Sequence, residues 1–363
     1  MTQNILFIID GLPGGGAERV VLTLAGEMAR RGQDVTIASL RDRCDYPIPQ
    51  GVQLLVIQDT YRGPLKRQTE IRRRAAQLDQ ALRRHYAGRQ VDLAVSNLPK
   101  TDRIVVACPF LKNAWLCLHC AIEAGQLQDK RGLKRWLKHR QLIRTYSGRK
   151  LITVCQALQQ DVLKCGIRPA KMAAIYNPFD LEDIRRQAAE DPLQMAAPFL
   201  LHVGRMNSQK RHDRLLEAFS LSGYEGRLVL LGQGAGIEQD ALQQQARQLG
   251  IEDQVVFAGF STNPYRYMRA AQALVLSSDY EGFGNVLVEA LICGTPVVST
   301  RCPYGPDEIM TGDLARGLSE LTAESLAAAI RRVVSAPPSI DQEELQRFTL
   351  TRTVDAYLAL VGQ

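Results

Sequence analysis

Two glutamates eight positions apart, Glu281 and Glu289, bound the run Glu281-Gly282-Phe283-Gly284-Asn285-Val286-Leu287-Val288-Glu289. A carboxylate accepts two hydrogen bonds at once, which suits the vicinal hydroxyls of a sugar. The glycines around Phe283, followed by a helical pattern, put loop amides near Gly284 and Asn285 at a helix start, where N–H groups and the helix dipole favour phosphate. A helix-end acid beside an incidental surface glutamate would give the same residues. A second run, Gly204-Arg205-Met206-Asn207-Ser208-Gln209-Lys210-Arg211, sets two cations, Arg205 and Lys210, five positions apart. A planar guanidinium fork and an ammonium point charge together can clamp a diphosphate, although solvated surface charge competes as a reading. In the third run, Pro13-Gly14-Gly15-Gly16-Ala17-Glu18-Arg19, glycines let backbone N–H groups approach an anion or a hydroxyl. Neither the spaced G-x-G-x-x-G fingerprint nor the Walker pattern is present, which disfavours a dehydrogenase. His119 closes the apolar run Trp115-Leu116-Cys117-Leu118-His119-Cys120. A lone histidine there is more often a core residue, and only its place at a strand end favours a ligand role. Cys117, His119 and Cys120 mimic a metal cluster, but a single C-x-x-C is weak evidence for zinc, and buried strand thiols are the preferred reading.

These residues need a scaffold, and the pattern around them supplies one. Short β-rich runs (4–9, 35–40, 52–57, 92–96, 114–118, 151–154, 172–176) alternate with helical patterns (17–31, 68–86, 133–146) in the first half. A polar, Pro- and Asp-rich stretch over 177–198 reads as a linker. The alternation then resumes with strands at 199–203, 228–231, 254–258, 273–276 and 296–299. A final helix is expected over 342–360, after Pro337-Pro338. Strand–helix alternation implies parallel sheets covered by helices. The expected class is therefore α/β, with two Rossmann-like domains facing an interdomain cleft and ligands at the carboxyl ends of the strands. The expected domains are 1–180 and 181–341. A terminal helix over 342–363 is expected to pack back on the first.

The chain has 363 residues and a formal net charge of +7. That length favours two domains, and 45% apolar with 23% charged residues is ordinary globular composition. Residues 62–150 alone carry 21 Lys/Arg against six acids, a net of +15 that leaves −8 for the remainder. Such asymmetry points to an anionic partner. Within it, 130–140 places Leu133, Trp136 and Leu137 on one face amid cations, the pattern of a helix lying on an anionic membrane, or of a core stripe with solvated charges. Arg72-Arg73-Arg74 adds to the basic surface. No nucleic-acid motif or stacking pattern accompanies these charges, so nucleic acid is not expected. The N-terminus lacks a basic signal-peptide region, and eight Cys lie mostly in apolar runs, as reduced thiols would. A cytoplasmic protein held peripherally on the inner face of the membrane is the expectation.

Taken together, Glu-x(7)-Glu, Gly-Arg-x(4)-Lys and the Gly-rich first turn resemble glycosyltransferase family 4, retaining enzymes of GT-B fold. The segments Gly232-Gln233-Gly234, Val256-Phe257-Ala258-Gly259-Phe260, Cys293 to Thr300 and Cys302 to Ile309 extend the likeness. The last of these is similar to the bacterial branch that builds lipid-linked oligosaccharides, lipopolysaccharide and other surface polysaccharides. The resemblance implies a nucleotide-sugar donor, with UDP favoured by family frequency alone, and a lipid-linked or polysaccharide acceptor. It implies that Arg205 and Lys210 hold the donor diphosphate, that Glu289 binds the ribose, and that Glu281 binds the donor sugar. The backbone of Phe283, Gly284 and Asn285 would meet the phosphate or sugar, and Gly259 and Phe260 the base. Gly15 and Gly16 would approach the diphosphate, and His119 the sugar near its reacting carbon. No metal and no cofactor are implied. A sugar-nucleotide epimerase of the same fold and a non-catalytic glycan-binding partner subunit are the alternatives, the second expected to have lost one of Arg205, Lys210, Glu281 or Glu289.

Overall fold

The computed structural model describes residues 2–13, 15–193, 195, 197–234 and 236–363. The chain divides into two units: Met1–Pro178 together with Leu350–Gln363, and Phe179–Thr349.

The first unit opens with β1 (Asn4–Ile9), whose residues Ile5 to Ile9 are wholly buried. A continuous apolar run of this kind suits a strand covered on both faces. It continues with α1 (Gly16–Arg30), β2 (Asp34–Ser39), β3 (Val52–Val56), α2 (Lys66–Tyr86), β4 (Leu93–Asn97) and α3 (Pro99–Val106). Then follow β5 (Trp115–Leu118), α4 (Gly132–Tyr146), β6 (Lys150–Thr153), α5 (Gln156–Lys164) and β7 (Lys171–Ala174). The seven strands are all parallel and run in the order β3-β2-β1-β4-β5-β6-β7. The order reverses between β1 and β4, so the loops leaving those two strands flank a crevice, the place where open α/β sheets bind ligands.

The second unit begins with α6 (Leu181–Ala189), in the stretch expected to be a linker. Asp180 is its N-cap and accepts a hydrogen bond from the Asp183 N–H at 3.0 Å, while Leu181, Ile184 and Ala188 are buried. The acidic residues that read as linker polarity are a helix cap and first turn. There follow β8 (Phe199–Val203), α7 (His212–Ser222), β9 (Arg227–Leu231), α8 (Gly236–Gln248), β10 (Val255–Gly259), α9 (Tyr265–Ala270) and β11 (Ala273–Leu276). α10 (Asn285–Ile292), β12 (Val297–Thr300), α11 (Pro306–Ile309), β13 (Leu318–Ser319) and α12 (Ala323–Ser335) complete it. Its parallel sheet has the order β10-β9-β8-β11-β12-β13, with the reversal between β8 and β11.

The expected terminal helix over 342–360 is broken. Residues Glu344–Phe348 form a short 3-10 turn, Thr349 is extended, and α13 (Leu350–Leu358) follows. The break has a cause: the Phe348 carbonyl accepts from the Phe179 N–H at 3.0 Å, and Arg347 donates to the Ile309 carbonyl, which tie 344–349 into the second unit. α13 belongs to the first unit. Tyr357 is buried there against Phe7 and faces the Cys117 thiol at 3.6 Å, while Thr353 donates to the Tyr176 carbonyl.

Candidate nucleotide-sugar site

In the second unit the loops leaving β8 and β11 bracket the point where the strand order reverses. They carry Arg205 and Lys210 on one side and Glu281 on the other. Lys210 Nζ meets Glu281 Oε1 at 2.7 Å, with only 16% and 9% of the two side chains exposed. Ser278 Oγ donates to the same Glu281 oxygen at 2.6 Å. Lys210 is held in place by a short 3-10 turn, Ser208–Lys210, whose cap Asn207 accepts from the Lys210 N–H, and by Ser277 Oγ donating to the Lys210 carbonyl. The neighbouring cations are already committed: Arg211 and Arg214 both donate to Asp279, and Arg211 also to Asp213. The Arg205 side chain, by contrast, is exposed and makes no hydrogen bond or ion pair to another described residue.

The two histidines behind this pair were not singled out by any motif. His202 and His212 pack edge to face with ring centroids 4.5 Å apart. The Val275 carbonyl can only accept, so His202 carries its proton on Nδ1, at 2.8 Å from that oxygen. Both Nε2 atoms are buried with no partner among the described residues. Burial, with the Lys210 charge adding to it, lowers both imidazoles, His212 to about 4. Neutral rings thus back the lysine and offer it no competing charge.

The Glu281 to Glu289 run folds as expected into a loop and a helix. Gly284 caps α10 in the left-handed region (φ +94), which a side chain would strain. Gly305 lies so close to the loop that a Cβ there would fall 1.8 Å from the Phe283 carbonyl oxygen, which fixes the loop from behind. The Phe283 side chain is buried against Phe179 and Phe348 and so does not face a ligand. Asn285 starts α10, and Glu289, one turn further, is buried. Gly259 ends β10, where its carbonyl accepts from the Gly232 N–H at 2.7 Å. Phe260 follows it with 66% of its surface exposed. The loops after β8 and β9 are joined too, by Met206 N–H to the Gln233 carbonyl at 2.9 Å. Arg205, Lys210, Gly259, Phe260, Glu281 and the 283–285 backbone therefore lie at or just past the carboxyl ends of their strands, and Glu289 lies one turn into α10.

In the first unit, Gly15 caps α1 and Gly16 begins it; Gly14 lies outside the described residues. The Glu18 carboxylate folds back over this helix start, since a Cβ on Gly15 would fall 2.2 Å from its Oε2. Asn97, at the end of β4, bonds His119, just past β5, at 2.9 Å. Asn97 Nδ2 donates to the Ile8 and Val95 carbonyls, so Oδ1 faces the histidine and His119 Nε2 carries the proton. Nδ1 is then the free lone pair. Burial lowers the imidazole to about 4, so it is neutral near pH 7. Asn97 was missed because a lone strand-end Asn carries no motif. Cys117 is sealed in the core, its thiol pushed up to about 12 by burial. Among the described residues no three His, Cys, Asp or Glu side chains are grouped to hold a metal ion.

Two doubly wound parallel units, each with its polar loops at a point of strand-order reversal, define the GT-B class of glycosyltransferase. The family described as Glycosyltransferase Family 4 matches residues 14–183, and that described as Glycosyl transferases group 1 matches 183–349. The chain belongs to this glycosyltransferase family, and it is a transferase. The N-acetylgalactosamine-N,N'-diacetylbacillosaminyl-diphospho-undecaprenol 4-alpha-N-acetylgalactosaminyltransferase of Campylobacter jejuni is 28% identical over 86% of this chain and 84% of its own length. The lipopolysaccharide 1,6-galactosyltransferase of Escherichia coli is 31% identical over 45% of this chain and 46% of its own. Among solved structures, Anabaena HepE in complex with UDP and glucose superposes with a TM-score of 0.77 at 21% identity, covering 98% of both chains. The solved structure shows the fold, and the two family models show the transferase class.

Proposed function

We propose that this glycosyltransferase moves a hexosyl or N-acetylhexosaminyl group from a UDP-sugar to a hydroxyl of a lipid-linked or polysaccharide acceptor, retaining anomeric configuration and using no metal. The observation that carries the reading is the Lys210–Glu281 pair where the strand order reverses, with exposed Arg205 on the same loop as Lys210. Cleavage of the glycosidic C–O bond leaves a growing negative charge on the diphosphate, and preorganised cations stabilise it most where it develops. Arg205 and Lys210 supply that charge, with the backbone of Phe283 to Asn285 beside it. Glu281 receives the sugar hydroxyls, Glu289 the ribose hydroxyls, and Phe260 with Gly259 the base. His119, neutral and with Nδ1 open, serves as an acceptor toward a sugar hydroxyl; Gly15 and Gly16 are assigned to the diphosphate. The acceptor hydroxyl attacks from the leaving-group side, its oxygen bonds the anomeric carbon, and its proton passes to the departing phosphate. The names of the Campylobacter and Escherichia relatives support the donor and acceptor classes.

The acceptor side adds a location. Among the described residues no helix is long and apolar enough to cross a membrane. Yet Leu133, Trp136 and Leu137 on α4 are 69%, 51% and 53% exposed, which rules out a core stripe. Around them Lys130, Arg131, Lys134, Arg140 and Arg144 have no carboxylate partner among the described residues, while Arg140 lies over the Trp136 ring. Apolar side chains amid unpaired cations support peripheral docking on an anionic membrane. In the Arg72-Arg73-Arg74 run, by contrast, Arg73 is spent on Asp59 and Arg74 on Asp10 and Glu70.

The test is a thermal-shift panel of UDP, GDP, ADP, their sugar conjugates and NAD(H) without added metal, followed by turnover. One nucleotide sugar should raise the melting temperature, and Arg205→Ala and Lys210→Ala should each lower turnover by about 100-fold in folded protein. Unchanged turnover in both variants would remove the diphosphate assignment. Sugar release or isomerisation that needs no acceptor would favour an epimerase instead.

A further inference from the structure

We propose that the Lys210–Glu281 ion pair is an exchange element that couples binding of the donor's sugar to binding of its diphosphate and helps expel the nucleoside diphosphate after transfer. This rests on the donor-site reading above. Each member of the pair has a ligand role, and each role competes with the bond already made. Lys210 Nζ and Glu281 Oε1 are 2.7 Å apart and mostly shielded from water. Ser278 Oγ adds a hydrogen bond to the same oxygen. Separating such a pair strands two poorly hydrated charges unless each gains a new partner.

A nucleotide sugar replaces both partners: its diphosphate takes the lysine, and its hydroxyls take the carboxylate. A nucleoside diphosphate alone replaces only one. It draws Lys210 away and leaves the Glu281 carboxylate unpaired beside added negative charge. Once the sugar has been transferred, Glu281 loses its hydroxyl partners and reclaims Lys210. Arg211 and Arg214 are held by Asp279 and cannot step in for Lys210, and Arg205 is assigned to the diphosphate. The neutral His202 and His212 behind the lysine offer no alternative anion.

Isothermal titration of the wild type, Glu281→Gln, Lys210→Gln and the double variant with UDP and with UDP-glucose and UDP-N-acetylglucosamine tests this. Glu281→Gln should bind UDP at least five-fold more tightly than wild type. In the Lys210→Gln background the same change should alter UDP affinity by less than two-fold, because there is no pair to release. The preference of the wild type for a UDP-sugar over UDP should vanish in Glu281→Gln. Equal or weaker UDP binding by Glu281→Gln, or the same gain in both backgrounds, as simple loss of a nearby negative charge would give, overturns the exchange. If Glu281→Gln fails to fold, a crystal structure of wild type with UDP decides. Lys210 Nζ should then sit on the diphosphate and more than 4 Å from Glu281, and an intact pair overturns the proposal. Failure of wild type to bind UDP, GDP or ADP at all would overturn the donor-site reading and the exchange with it. Binding without the gain overturns the exchange alone.

Discussion

Asp102 lies buried in the first turn of α3, where Ser96 Oγ and the Tyr146 hydroxyl donate to its two carboxylate oxygens at 2.7 and 2.8 Å. Burial outweighs those bonds and raises the carboxyl to about 7. The unfolded chain releases this proton near pH 4 and the folded chain holds it to about 7, so its contribution to stability is present at low pH and lost as pH rises through 7. Asp102→Asn should therefore stabilise the protein by about 1–2 kcal/mol at pH 8 and by progressively less toward pH 5. A melting difference that does not change with pH would contradict the buried-acid assignment. His119 and His212 carry the opposite slope: lowered to about 4, they contribute fully above pH 6.5 and lose that contribution as pH falls through 4. At this scale the sequence disclosed which side chains had suitable chemistry, because carboxylates, cations and glycines at fixed offsets are visible in one dimension. It did not disclose that Lys210 and Glu281, 71 positions apart, bond each other, or that Asn97 sets the proton position of His119. Those facts depend on which strand ends meet.

Strands and helices were legible wherever period and burial agreed, as in β1 and β11, whose buried apolar runs are continuous, and in β8, interrupted only by His202. They were least legible where polar residues serve as caps: α6 was hidden by Asp180 and the acids of its first turn, and the break before α13 by a backbone bond to Phe179. α4 shows a further limit, since Leu133, Trp136 and Leu137 fit a core stripe and a membrane face equally well in sequence. Their exposure removes the core stripe and leaves the membrane face as a proposal. Replacing all three by Ser should leave the melting temperature within about 2 °C, because little apolar area leaves the core, and should abolish binding to vesicles containing anionic phospholipid. Binding of the wild type should weaken as salt rises. A wild type that ignores such vesicles would remove the membrane proposal.

Over the whole molecule the chain passes from the first unit to the second at 178–179 and returns at 349–350. The first unit therefore needs its last helix: Tyr357 is buried among residues of β1 and β5 contributed some 240 and more positions earlier. Tyr357→Ala should cost about 3–5 kcal/mol, with accelerated hydrogen exchange in β1 and β5 and little change in β8 to β12. Uniform loss of protection across both sheets would show instead that the two units unfold as one. The returning helix also has a consequence for the order of events during synthesis. The second unit has all its residues as soon as 349 has left the ribosome, whereas the first, made earlier, waits with one flank of its sheet uncovered until residue 358 arrives. A chain clipped between 350 and 357 keeps every side chain assigned to the donor and lacks part of the helix that closes its first unit, so α13 acts as a late check that the first unit is whole.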